Sequence, residues 1–412
     1  MQEPNTLLAH PGTQYSLRLA RELAIRGCLS GFYTGLAVRA ESNLARLLKP
    51  CASLLKMERQ WQNRLLNDVP GGKLHCYPSL EIGAWWRARR RGGRAGEALK
   101  ERNENFQRGI PERAITDADA VIGFDTSSQI LAGRTKAQGK PFILDRSIAH
   151  PRAFARVAVQ LTERFPEWED ARQRKTEHEL ALEDGEHLLA DLIVTPSRFA
   201  ADSLIEHGVP PEKIRVNPFG TETNSFRPPL FEPAPSPLVF TFVGALSARK
   251  GLPLLLQAWK WLNPAGAELW VAGTGNVPAQ AGRGLPDSVR WLGPVTRRKL
   301  PALFQQSHVF VFPSFFEGLA QVQLEAAACG LPIIATRASG GEEVVEEGLT
   351  GFIVEAGNLE QLSGRMERLI EAPSLVKEMR AAARRKAADW SWSGYGDRWQ
   401  TILRGAVRCS QS

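Results

Sequence analysis

The sequence predicts an α/β protein built as two doubly wound domains, each a parallel sheet with helices on both faces. Three observations carry that prediction. Short apolar runs alternate with helical stretches, a proline-rich break interrupts the alternation near the middle, and 412 residues exceed what one ordinary core encloses.

The elements follow in order. "NTLLAH" reads as a first strand, "PGTQ" as a glycine-containing turn, and "YSLRLARELAIRG" as an amphipathic helix with Leu17, Ala20 and Ala24 on one face and Gly27 as its stop. "DAVIGF", "KPFILD", "ADLIVTPS" and "KIRVNPFG" supply further strands, with helical stretches between them. Residues 41–115 are less legible. The break is "SFRPPLFEPAPSPL", residues 225–238, after which "LVFTFVG", "ELWVAG", "VRWLG", "HVFVFPS" and "LPIIAT" restart the pattern. From about residue 373 the tail reads as helix. The expected partition is an N-terminal domain over 1–217, a hinge over 218–237, a C-terminal domain over 238–385 and a closing helix over 386–412.

Composition narrows the class. Hydrophobic content of 43% and charged content of 23% are those of a soluble globular chain, and a net charge of +8 favours anionic partners. No run of 18 apolar residues is present, and the start "MQEPNTLLAHPGTQ" lacks a basic region followed by a long apolar one. Five scattered cysteines form no CxxC pair, which suggests neither a zinc site nor a disulfide framework. A cytoplasmic setting is expected.

Ligands of open α/β sheets collect at the carboxyl ends of strands. Three such ends in the C-terminal half stand out. In "TFVGALSARKG" the strand stops at Gly244, and Arg249 and Lys250 precede the next helix, where a cation suits phosphate. An isolated "RKG" is otherwise read as solvated surface charge. "WVAGTGN" is a second glycine-rich strand end, and the absence of GxGxxG removes the dinucleotide fingerprint. The third is "PSFFEGLAQVQLEAAACG", where a helix over 318–329 is expected. Glu317 lies just outside its start, with the N–H groups of Gly318, Leu319 and Ala320 free to face an anion. Glu325 lies two turns along in an apolar run, where an unpartnered carboxylate would cost several kcal/mol. It therefore binds either a ligand's hydroxyls or an internal arginine or lysine.

Taken together, Glu317, Glu325, "ACGLPIIAT", Gly340-Gly341-Glu342 and "GLTGFIV" resemble the E-x7-E region of the retaining GT-B glycosyltransferases of family 4. "VGALSARKG" resembles that family's diphosphate loop, "VNPFGTETNSFRP" its interdomain segment, and "HPGTQYSLRLARELAIRG" its N-terminal glycine loop. The resemblance is dense in the C-terminal half and looser over residues 1–35 and 141–226. It implies a GT-B fold, two Rossmann-like domains facing each other across a cleft, with the C-terminal helix returning to the N-terminal domain. It implies that Glu325 holds the ribose of a nucleotide-sugar and Glu317 the hydroxyls of the donor sugar. Lys250, helped by Arg249, would neutralise the diphosphate together with Gly244's loop and the N–H groups of Gly318, Leu319 and Ala320. Val295 would lie where the backbone reads the base, Gly12 where the donor phosphate or acceptor approaches, and His150 of "DRSIAHP" where a histidine touches the donor sugar. Taken alone, a loop histidine is more often a surface residue.

The implied reaction moves a hexose to a hydroxyl with retention, the acceptor being a surface polysaccharide, a lipid-linked sugar or a small molecule. No cofactor is expected beyond the donor substrate, such as a UDP- or GDP-hexose, and no metal, since Lys250 supplies the charge and no Asp-x-Asp precedes the site. Departures from the family pattern are Ala245, where arginine is common, Ala320 for glycine, Val322 for proline, and Thr221 and Glu222 for valine and aspartate. Ala245 prompts a second reading, a catalytically silent sugar-nucleotide binder or scaffold. An epimerase of the same fold is a third.

One basic stretch stands outside these motifs. In "LEIGAWWRARRRGGR", residues 80–94, Ile82, Trp85 and Trp86 share a helical face ahead of Arg87, Arg89, Arg90, Arg91 and Arg94. A solvated helix packed on its domain is the plain reading. Peripheral contact with an anionic membrane is the sharper one, and nucleic acid is not expected.

Overall fold

The computed structural model describes residues 3–411 except 13–14, 40, 42–63, 67–68, 91–94, 169, 171–173, 231–232, 235 and 387–388. Among these residues the chain forms two α/β domains. The N-terminal strands are β1 (Thr6–His10), β2 (Leu29–Thr34), β3 (Val38–Arg39), β4 (Leu65–Leu66), β5 (Leu74–Cys76), β6 (Ala120–Phe124), β7 (Phe142–Asp145), β8 (Leu192–Thr195) and β9 (Ile214–Val216). Seven of them make one sheet in the order β5-β2-β1-β6-β7-β8-β9, every pair parallel, while β3 and β4 pair separately.

The C-terminal strands are β10 (Leu238–Ala245), β11 (Ala267–Thr274), β12 (Val289–Gly293), β13 (Val309–Phe312), β14 (Ile333–Thr336) and β15 (Gly351–Val354). Their sheet is also parallel throughout, in the order β12-β11-β10-β13-β14-β15. Sequence dictates this directly. Strands such as "TLLAH", "AVIGF", "VFVF" and "IIAT" are buried along their whole length, as parallel strands covered on both faces must be.

Strand order reverses beside β1 in the first sheet and beside β10 in the second. Crevices open outside the carboxyl ends at such switch points, here those of β1 and β6 and those of β10 and β13. The two crevices face each other. Ile148 and Gly318 form an antiparallel bridge across them, Ser197 Oγ donates to Gly318 O at 2.5 Å, and the Arg198 N–H donates to Glu343 Oε1 at 2.7 Å. Phe316 lodges between Phe154 and Phe199, and Phe315 lies edge-on to Phe165. The domains are closed on one another.

The chain crosses between domains twice, and the crossings run side by side. Thr221 bridges to Ser391, and its N–H donates to Trp390 O at 2.8 Å. Beyond the second crossing the helix Trp392–Gln411 lies against the N-terminal domain's first helix, Ser16–Ile25. Trp392, Tyr395, Trp399 and Leu403 are buried there, and the Arg26 guanidinium donates to Asp397 and Ser393.

Candidate functional site

The C-terminal crevice is built by two loops that fit together. The β10 loop ends at Gly251, whose φ of +76° is left-handed and whose Cβ, were there one, would lie 1.9 Å from Pro313 O. Only glycine allows that approach. It brings in the β13 loop, whose Phe315 N–H and Ser314 hydroxyl both donate to Arg249 O, at 2.8 and 3.0 Å. The side chains of Arg249 and Lys250 thereby meet Glu317. Its Oε1 lies 2.6 Å from Arg249 Nη1 and 2.5 Å from Lys250 Nζ, with the Ser314 hydroxyl at 3.1 Å. Burial pulls the Lys250 pKa down, Glu317 opposes that pull, and Arg249 adds to it. β10 runs one residue past Gly244, which lies against the rings of Phe242 and Phe312, to the exposed Ala245.

The helix carrying Glu325 starts later than expected, at Gln321 rather than Gly318. The reason is tertiary. The Glu317 N–H donates to Ala338 O and the Ala320 N–H to Ser339 O, which keeps residues 317–320 extended. Ala320 therefore caps the helix with its N–H already engaged, Leu319 is buried, and Gly318 is pinned against the N-terminal domain. A Cβ on Gly318 would lie 2.1 Å from Ser147 O. The three N–H groups expected to face an anion together do not form an open row.

Glu325 is 3% exposed, and its Oε1 lies 2.6 Å from Nη2 of Arg297, which is 53% exposed. That oxygen has no aligned hydrogen-bond donor, so we read the contact as an ion pair without a directed bond. Burial raises the Glu325 pKa to about 7, against the pull of Arg297. An internal arginine, one of the two partners the sequence left open, meets this carboxylate. It is a surface arginine on the loop after β12, lying over the Phe226 ring, so the carboxylate is capped rather than sealed in. Val295, two residues earlier in that loop, is partly buried against the core.

The N-terminal crevice holds charge that sequence reasoning missed. Arg146, fully buried, ion-pairs Glu183 at 2.5 Å and Asp125 at 3.7 Å, and Asp125 accepts from the Ser147 hydroxyl at 2.9 Å. Burial raises the Glu186 pKa to about 8, although its carboxyl accepts the N–H groups of Thr126 and Ser128 at 2.8 and 2.7 Å. Asp145 accepts the Tyr15 hydroxyl at 2.9 Å, and burial raises its pKa as well. The signal was available. "FDTSS" and "LDRS" each place an acid at the carboxyl end of an apolar strand.

Gly12 follows β1, with its N–H donating to His10 Nδ1 at 2.9 Å. His150 is 2% exposed and caps the helix Pro151–Arg164, its Nδ1 accepting the Arg152 N–H at 3.2 Å. Its ring stacks on His207 at 4.3 Å, stands 4.9 Å from His187, and places Nε2 3.6 Å from Asp184 Oδ1. Burial, then His207 and Arg146, lower its pKa to about 4. These contacts are all within the N-terminal domain. His150, Asp184 and His187 are near enough to share a metal ion. As placed, however, the accepting Nδ1 leaves the neutral ring's proton on Nε2, where a metal would bind.

A cavity of 600 Å³ lies at the proline-rich hinge, lined by Arg227, Pro228, Pro229, Pro237 and Trp270. It touches neither Glu317, Lys250 nor Glu325.

Comparison with known proteins bears on the fold. Residues 228–386 match the family model for glycosyl transferases group 1. A D-inositol 3-phosphate glycosyltransferase of Pseudarthrobacter chlorophenolicus is 30% identical over 233 residues, 51% of this chain and 56% of that one. The amylovoran biosynthesis glycosyltransferase AmsK of Erwinia amylovora is 29% identical over 209 residues, 48% of this chain and 51% of that one. The chain spans about half the length of these curated relatives. Among solved structures, a sucrose-phosphate synthase of Thermosynechococcus elongatus superimposes over 98% of this chain and 100% of its own, with a TM-score of 0.65 at 17% identity. Anabaena HepE in complex with UDP does so over 97% and 100%, with a TM-score of 0.63 at 16% identity. The fold is GT-B, and residues 228–386 resemble the glycosyl transferases group 1 model.

Proposed function

We propose that the protein is a retaining glycosyltransferase of the family 4 type, moving a hexose from a nucleoside-diphosphate sugar to a hydroxyl acceptor. The observation that carries this is the meeting of Arg249, Lys250 and Glu317 at the carboxyl ends of β10 and β13, with Glu325 on the helix that follows. Cleavage of the bond between the anomeric carbon and the diphosphate puts negative charge on phosphate and positive charge on the sugar. Lys250 and Arg249 stabilise the first, and fixed charge aimed at a developing charge is the largest catalytic term. In this reading the diphosphate takes both cations from Glu317, whose freed carboxylate accepts sugar hydroxyls. The ribose takes Glu325 from Arg297 in the same way. The acceptor hydroxyl enters beside the departing phosphate, whose oxygen receives its proton, so retention needs no acid across the cleft. His150 has no step in this scheme. The relatives support the class: their names are those of glycosyltransferases, and HepE was solved with UDP.

The test is a thermal-shift screen with UDP-, GDP- and ADP-sugars, followed by nucleotide release with mixed acceptors. One donor should raise Tm by mass action, Glu325→Ala should abolish the shift, and Lys250→Ala should blunt it. A shift without nucleoside diphosphate release under any acceptor mixture supports the silent binder suggested by Ala245. A free epimerised donor formed without acceptor supports the epimerase.

A second proposal concerns the helix Pro78–Arg90. Ile82 and Trp86, one turn apart, are each 52% exposed, a placement suited to an anionic membrane surface. Arg91 and Arg94 lie outside the described residues, as do the side chains of Trp85, Arg89 and Arg90. Co-sedimentation with phosphatidylserine vesicles, lost in Ile82→Ser/Trp86→Ser, checks it. Among the described residues no helix is long and apolar enough to cross a membrane.

A further inference from the structure

One carboxylate belongs to neither crevice by sequence yet sits on the loop that carries the cations. Asp170 follows the N-terminal helix Pro151–Arg164, in a segment that reaches the other domain. Its Oδ1 accepts the Ala248 N–H at 2.9 Å and its Oδ2 the Arg249 N–H at 3.0 Å. Two adjacent backbone N–H groups thus chelate one carboxylate, a charge-assisted arrangement stronger than a pair of neutral hydrogen bonds. Ala248 is fully buried, so its N–H has no ready substitute in water.

The segment is anchored on the N-terminal side of the aspartate. Trp168 is buried to 1% in the core cluster shared with the C-terminal domain, and with Glu167 it lines a small cavity against Pro253 and Leu256 of that domain's first helix. Upstream, the Arg164 guanidinium donates to Gly357 O of the C-terminal domain. Downstream of the chelated N–H groups come the side chains of Arg249 and Lys250, both aimed at Glu317. The backbone that sets the direction of these cations is thus held by a residue of the opposite domain.

We propose that Asp170 is a positioning residue for the diphosphate grip. It fixes the Ala248–Lys250 backbone only while the domains are closed, and so ties the geometry of Arg249 and Lys250 to closure. This rests on the function proposed above. Asp170 touches no reacting atom; it acts through the loop. The carboxylate's own charge works against a diphosphate nearby, and the opposite role, a surrogate anion that must leave before the donor binds, predicts the opposite sign.

The experiment compares wild type, Asp170→Ala and Asp170→Asn by calorimetry with UDP, GDP and ADP, and by small-angle X-ray scattering without nucleotide. Asp170→Ala should weaken the bound nucleotide's Kd at least tenfold and enlarge the radius of gyration, with Tm lowered little because each domain keeps its own sheet. Asp170→Asn retains one acceptor oxygen and should fall between the two. A purely structural role would move Tm and leave Kd in place. Unchanged affinity in Asp170→Ala overturns the proposal, whatever the scattering shows, and tighter binding identifies the surrogate anion instead. If wild type binds none of the three nucleotides, the proposed function fails. Scattering alone then decides the link to closure: an unchanged radius overturns it, and an enlarged one upholds it.

Discussion

The facing crevices of the two domains treat charge differently. In the N-terminal domain Arg146 is fully buried and held by Glu183 and Asp125, with no part of the guanidinium at the surface. In the C-terminal domain the acids meet cations that reach solvent: buried Glu325 meets Arg297, and half-buried Glu317 meets Arg249, which is 31% exposed, together with the more buried Lys250. The first arrangement is fixed, because moving either partner strands a charge in a low-dielectric interior. The second is exchangeable, because the departing cation is rehydrated as a ligand takes its place. A binding site for a charged substrate needs the second kind, and a platform that holds its shape needs the first.

Substituting Arg146 gives the largest expected effect. Arg146→Met removes the buried counter-charge of Asp125, leaves Glu183 with the half-exposed Lys175 alone, and should cost about 3–5 kcal/mol in urea unfolding. A cost below about 1 kcal/mol would mean that water reaches the network, and the contrast between the crevices would then fail.

Titration of Glu325 is next. Its pKa in the folded protein, about 7, stands above the ordinary 4.5, so the folded state holds this proton after the unfolded chain has released it. The carboxyl's contribution to stability is therefore greatest below pH 4.5 and declines as pH rises to 7. Over that window the loss is about 3 kcal/mol. Glu325→Gln does not titrate, so the stability of wild type relative to this variant should fall by that amount between pH 4.5 and pH 8. A flat difference would show a carboxylate ionised throughout and a pair as fixed as that of Arg146. Removing the partner should do least: Arg297→Ala should cost under about 1 kcal/mol at pH 7, because the guanidinium is half in water and the carboxyl can take up a proton instead.

Much of the fold was legible. All ten apolar runs quoted as strands end in a glycine, proline or polar residue within two positions, and each lies in one of the two parallel sheets. β2 was not, because Ser30 and Gly31 interrupt the apolar pattern of "LSGFYT" although the strand is almost wholly buried. In the site, the loops carrying Lys250, Glu317 and Glu325 were legible because their signals are local. What was illegible is partner choice. Arg297 meets Glu325 across 28 positions and Asp170 meets Ala248 across 78, and no spacing rule reaches that far. The helix start was misplaced for the same reason, since carbonyls of residues 338 and 339 claim N–H groups that local pattern leaves free.

The twin crossings at Thr221 and Ser391 have a mechanical consequence. Two links bonded edge to edge act as one axle: sliding or independent twisting would tear the bridge between them, whereas rotation about it need not. Swinging apart on that axle must release the front contacts in concert, from the Ser197 hydroxyl on Gly318 to the Asp170 chelate. The molecule would then switch like a door with several catches on one edge, shut or unlatched, with few stable positions between.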